Sequence, residues 1–132
     1  MAEKILIVED NSQNMRVIQM ALRRLGYTFL EASDGEAGMA AAIQEKPDLI
    51  IMDVQLPKMD GLEITRRLRE MPEFSQVPII AITAYAMKGD MERALAVGCD
   101  AYLTKPINTR ELPKVIVELL ANRQNNPRQQ RE

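Results

Sequence analysis

The chain has 132 residues, about one domain, with 46% apolar and 27% charged side chains, which is ordinary globular composition. Its net charge of −2 offers no basic field for nucleic acid, and no apolar run approaches the ~18 residues of a membrane span. Histidine is absent and Cys99 is the one cysteine, which excludes His metal sites, Ser-His-Asp and Cys-His catalysis and an internal disulfide, and fits a cytoplasmic protein.

The first apolar run, "KILIV" (4–8), reads as a strand and leads into Glu9 and Asp10. Residues 14–25 carry Met15, Ile18, Leu22 and Leu25 at helical spacing, and Gly26 stops that helix. "TFLEA" (28–32) is a second strand, followed only by Ser33 and Asp34. Residues 35–46 form an Ala-rich helix that stops before Pro47.

"DLIIM" (48–52) is a third strand and runs straight into Asp53. A charge at the end of a buried run is costly unless something compensates it. Residues 61–70 place Leu62, Ile64 and Leu68 on a helix whose arginines 66, 67 and 69 read as a solvated face. "VPIIAIT" (77–83) is a fourth strand ending at Thr83, and residues 88–97 are helical up to Gly98. "AYL" (101–103) leads to Thr104 and Lys105. Residues 110–121 form the last helix, with Thr109 as N-cap and Pro113 early enough to be tolerated. Residues 1–121 make one domain, and the polar stretch 122–132 is expected to be a disordered tail.

The alternation is (βα)5. It predicts an α/β fold with a doubly wound, five-stranded parallel sheet in the order 2-1-3-4-5. All carboxyl ends of such a sheet lie on one edge, where ligands bind. Glu9, Asp10, Asp53, Thr83 and Lys105 should therefore share one site. Clustered carboxylates need a proton or cation, and hard oxygen ligands favour Mg2+. A lysine and a hydroxyl opposite a metal make a clamp for a phosphoryl group, and a carboxylate can accept it as an acyl phosphate.

The pieces "ILIVEDN", "PDLIIMDVQLPKMDGLE", "IIAITA" and "AYLTKPI" together resemble the response-regulator receiver domain, a flavodoxin- or CheY-like fold, over about residues 4–121. "MKGD" (87–90) with "GCDAY" (98–102) is most similar to single-domain regulators of the DivK type. The resemblance implies that Asp53 is the phospho-acceptor. It makes Glu9 and Asp10 the acidic pair that holds Mg2+, with Asp53 and the main-chain carbonyl of Gln55. It makes Lys105 the lysine on the phosphoryl oxygens, and Thr83 and Tyr102 the switch pair. The same resemblance implies a cis Lys105-Pro106 peptide.

The phosphodonor must be external, since this chain has no histidine. By resemblance it is a phosphohistidine on a sensor histidine kinase or histidine phosphotransfer protein. The first helix (Asn14, Val17, Ile18) and Ile107 would dock it. A downstream partner would read the face of the fourth helix, fifth strand and fifth helix. Neither nucleic acid nor membrane is expected as a partner. The reading is of a signalling switch in a two-component or phosphorelay system, limited as an enzyme to its own phosphorylation and slow dephosphorylation. Gln55 and Tyr85 are candidates to tune that rate, and Ala84 is small enough to leave the acceptor open. The alternative, a phosphohydrolase with an aspartyl nucleophile, usually needs a second acid two residues on, where Gln55 stands. A relay intermediate, or a receiver cut from a larger protein, is the remaining alternative.

Overall fold

The computed structural model describes residues 3–84 and 88–123. Five strands, β1 (Lys4–Val8), β2 (Thr28–Ala32), β3 (Leu49–Asp53), β4 (Ile79–Thr83) and β5 (Ala101–Thr104), form one parallel sheet ordered β2-β1-β3-β4-β5. Five helices separate and follow them: α1 (Ser12–Leu22), α2 (Gly35–Glu45), α3 (Gly61–Arg69), α4 (Asp90–Val97) and α5 (Glu111–Asn122). This is the doubly wound order expected from the sequence.

The continuous apolar runs are explained by the two cores. Alternate residues of a strand point to opposite faces. Leu6, Val8, Ile50, Met52, Ile79 and Ala81 pack with Ala42 of α2, Ile64 and Leu68 of α3 and Ala94 of α4. On the other face, Ile5, Ile7, Leu49, Ile51, Ile80 and Ile82 pack with Met15, Ile18 and Leu22 of α1 and Leu112, Ile116 and Leu120 of α5. Strands covered on both faces have no side left for polar residues.

Element ends differ from the sequence reading where a cap or a proline decides them. The first helix starts at Ser12 because Asn11 accepts from the Asn14 N–H, and it tightens into a 3-10 turn over Arg23–Leu25. The last helix is capped by Asn108, not Thr109: one Asn108 carboxamide oxygen accepts from both the Arg110 and Glu111 N–H groups at 2.9 Å. Pro78 has no N–H to donate, and β4 begins after it. Asp48 lies outside β3, its carboxylate accepting from the Lys4 N–H at 2.7 Å, while Asp53 is the last residue inside the strand. Residues 124–132 of the expected tail lie outside the described residues.

Candidate functional site

β1 and β3 are neighbours in register, Val8 opposite Met52, so the residues after them emerge side by side. Glu9 and Asp53 are buried there, while Asp10 is exposed beside them. One carboxylate oxygen from each of the three lies within 4.8 Å of the others. β4 delivers Thr83 from the next strand over, buried at 1% exposure. Lys105, from the end of β5, reaches across: its Nζ lies 3.1 Å from Asp53 Oδ2 and 2.9 Å from Glu9 Oε1. The Lys105-Pro106 peptide is cis.

Each oxygen of Asp53 has a different neighbour. Oδ2 faces Lys105, and Oδ1 accepts from the Gln55 N–H at 3.0 Å. Burial, followed by repulsion from Glu9, pushes its pKa from the ordinary 3.8 up to about 6, although Gln55 and Lys105 oppose that rise. For Lys105, burial alone would lower the pKa; hydrogen bonds and attraction to Glu9 and Asp53 outweigh it and raise the value. Anionic surplus is thus built in, and Lys105 answers only part of it. Three hard oxygen donors suit a small divalent cation such as Mg2+.

Residues 5–117 match the family model described as the response regulator receiver domain. The chain belongs to that family. The receiver is 39% identical over 122 residues to the polar-differentiation response regulator DivK of Brucella anthropi, covering 92% of this chain and 99% of that one. The receiver domain of a sensor histidine kinase from Pseudomonas aeruginosa, solved with magnesium coordinated in its active site cleft, is 39% identical with a TM-score of 0.83, covering 92% of this chain and 99% of that one. A CheY-like receiver domain protein from Methanospirillum hungatei superposes with a TM-score of 0.87 at 29% identity, covering 95% and 98% of the two chains. These place the chain among two-component signalling receivers of CheY-like fold. No described helix is long and apolar enough to cross a membrane.

The receiver's other sequence-marked residues sit as follows. Gln55 is exposed, but its side chain bonds to Thr83 Oγ and to the Ala84 N–H. Tyr102 is half-buried against the α2–α3–α4 core. Its hydroxyl is buried and has no well-formed hydrogen bond among the described residues. Desolvation, then the charge of Asp90, raises its pKa, against a smaller lowering by the nearby Thr83 hydroxyl. Tyr85 lies outside the described residues.

The structure corrects two further expectations about single residues. Ile18 is fully buried in the α1–α5 core and cannot dock a partner, whereas Val17 is 38% exposed beside it. Arg66 and Arg67 do form a solvated face with Glu63 and Glu70, but Arg69 is nearly buried. Two further positions shape the site, Asn11 and the glycine that brackets the loop after the acceptor. The Asn11 N–H holds Glu9 through Oε2 at 3.1 Å, and a good N-cap residue directly after the acid pair is the signal for it. Gly61 closes the loop after the acceptor; a Cβ there would meet the Asp53 carbonyl oxygen at 2.2 Å, so α3 can start beside the acceptor only with glycine.

Proposed function

We propose that the receiver is a phosphorylatable switch in which Asp53 accepts a phosphoryl group from a phosphohistidine on a sensor kinase or phosphotransfer protein. The observation that carries this is the buried Asp53 carboxylate at a strand end, with Lys105 on one oxygen and a backbone N–H on the other, beside Glu9 and Asp10. Asp10, Asp53 and the Gln55 main-chain carbonyl, with Glu9 behind them, would hold Mg2+. When bound, that ion neutralises charge on the carboxylates and on the incoming phosphoryl group.

Asp53 would attack phosphorus in line with the departing imidazole. The new O–P bond forms as the N–P bond breaks, and the leaving nitrogen keeps the electron pair. Lys105, held at 13% side-chain exposure, places a fixed positive charge on a phosphoryl oxygen without reorganising. An open cleft of about 840 Å3, lined by Asp10, Gln55, Pro57, Lys58, Asp90 and Arg93, gives the donor a way in. Added charge of roughly −1.5 to −2 would then recruit Thr83 and alter the α4–β5–α5 face. Exposed Met91 and Leu95 on α4 and Val117 on α5 support an output surface there, and Val17 with Met20 on α1 supports donor docking.

Incubation with acetyl phosphate and Mg2+ is expected to add one phosphoryl group by intact mass to the wild type and none to Asp53→Asn. No gain, or an equal gain in the variant, overturns the assignment.

A further inference from the structure

Gln55 touches both halves of the site. Its backbone N–H donates to Asp53 Oδ1, while its side chain spans to β4: Nε2 donates to Thr83 Oγ, and Oε1 accepts from the Ala84 N–H at 2.9 Å. One exposed carboxamide therefore ties the loop after the acceptor to the end of the neighbouring strand.

The direction of the Ala84 N–H follows from the ladder. Successive residues of a strand turn their peptide groups to opposite neighbours. The Ile82 carbonyl accepts from the Val54 N–H on the β3 side, and the Thr83 carbonyl accepts from the Lys105 N–H on the β5 side. Ala84 is thus turned back toward β3, over the end that carries Asp53. A phosphoryl oxygen can only accept, so it needs donors at that place. Lys105 covers one side of Asp53. On the β4 side, the Thr83 hydroxyl and the Ala84 N–H face the acceptor strand; Gln55 donates to the first and accepts from the second, so the N–H is the donor it takes up. An N–H carries one proton and cannot serve two acceptors equally.

We infer that the Gln55 carboxamide is a latch: in the unphosphorylated receiver its Oε1 takes up the Ala84 N–H while its Nε2 anchors it on the Thr83 oxygen, and a phosphoryl group on Asp53 must displace Oε1 to gain that N–H. This rests on Asp53 as the phospho-acceptor and adds what holds the switch off. The latch favours the unmodified state alone, so it shifts the population away from the phosphoryl state. One competed hydrogen bond, at the upper end of its ordinary net worth, corresponds to a bias of roughly tenfold. Gln55 acts through Thr83 and Ala84 and is a positioning residue.

The test uses Gln55→Ala and Gln55→Met, the second keeping length without an amide; both keep the main-chain carbonyl. In the metal-free protein, the Ala84 amide is expected to exchange hydrogen roughly tenfold faster in both variants than in the wild type. At saturating Mg2+, the beryllofluoride concentration for half-occupancy is expected to fall roughly tenfold in both. Unchanged Ala84 exchange, or unchanged or weaker beryllofluoride uptake, overturns the latch. If the wild type takes up no more beryllofluoride than Asp53→Asn, the acceptor reading fails and the latch with it. Uptake by the wild type with unaltered variants overturns the latch alone.

Discussion

Arg69 and Asp100 form a nearly buried ion pair, Nη2 to Oδ2 at 2.9 Å, with side-chain exposures of 10% and 9%. The pair sits at the amino-end edge of the sheet, opposite the site. Asp100 Oδ2 also accepts from the Ile79 N–H that opens β4. The guanidinium donates further to the carbonyls of Gly98, Val77 and Phe74, so one side chain closes α4 and the turn before β4. Gly98, at φ +114° and with an added Cβ 2.8 Å from Arg69, is shaped to that contact.

Truncation of Arg69 would strand a buried carboxylate and several carbonyls. Arg69→Met is therefore expected to lose about 3–5 kcal/mol of stability, and Arg69→Lys to recover only part, because an ammonium lacks the planar fork. Guanidinium unfolding measures this; a loss below ~1 kcal/mol would contradict the hub reading.

Asp53 makes stability depend on pH. Its carboxyl titrates at about 6 in the fold against an ordinary 3.8, because burial and Glu9 disfavour the charge. Below pH 3.8 it is neutral in both the folded and unfolded states and costs nothing. Above about 6 it is charged in both, and the fold carries a penalty of up to about 3 kcal/mol that grows as pH rises through this window. Without divalent ions, Asp53→Asn should melt higher than the wild type at pH 8, with the difference vanishing toward pH 4. Mg2+ should narrow the gap at pH 8 by stabilising the wild type. Equal melting at pH 8 in metal-free buffer would refute this.

Gly61 and Gly26 separate two reasons for glycine. At Gly61 the obstacle is the Asp53 carbonyl, 2.2 Å from where a side-chain methyl carbon would stand; at Gly26 nothing lies within 4 Å, and the constraint is φ of +76° alone. Gly61→Ala is expected to cost more than ~2 kcal/mol and to slow phosphorylation by shifting the acceptor. Gly26→Ala should cost about 1 kcal/mol and leave phosphorylation unchanged. Denaturant midpoints together with phosphorylation rates would show whether the two effects part in this way.

Lys46 ends α2 in the left-handed region at φ 52°, a position that favours glycine. Its side chain is exposed, so little contact is lost on removal. Lys46→Gly is expected to stabilise by about 0.5–1 kcal/mol, with a higher melting temperature and no effect on phosphorylation.

The fold is legible in the sequence because its determinants are local. Unbroken apolar runs separated by 3.6-residue patterns leave little besides a parallel sheet covered on both faces, and the carboxyl-end rule then gathers Glu9, Asp10, Asp53, Thr83 and Lys105 on one edge. Helix starts are less legible: Asn108 and Thr109 are both good capping residues, and only the path of the chain decides which oxygen reaches the free N–H groups.

What the sequence determined by itself was the order of the layers and the identity of the residues at the strand ends, since periodicity and chain direction are properties of the chain alone. Tertiary structure decided which polar groups meet. Arg69 has the same local sequence signature as Arg66 and Arg67, yet it is turned inward because α3 packs against α4 and β4, which brings it to Asp100. Gln55 reads as a loop residue until β4 is set beside β3, which brings Thr83 and Ala84, 28 and 29 residues away in sequence, within reach of its carboxamide. A hydrogen bond depends on a distance of a few tenths of an ångström, and sequence spacing carries no such distance once the partners lie on different strands.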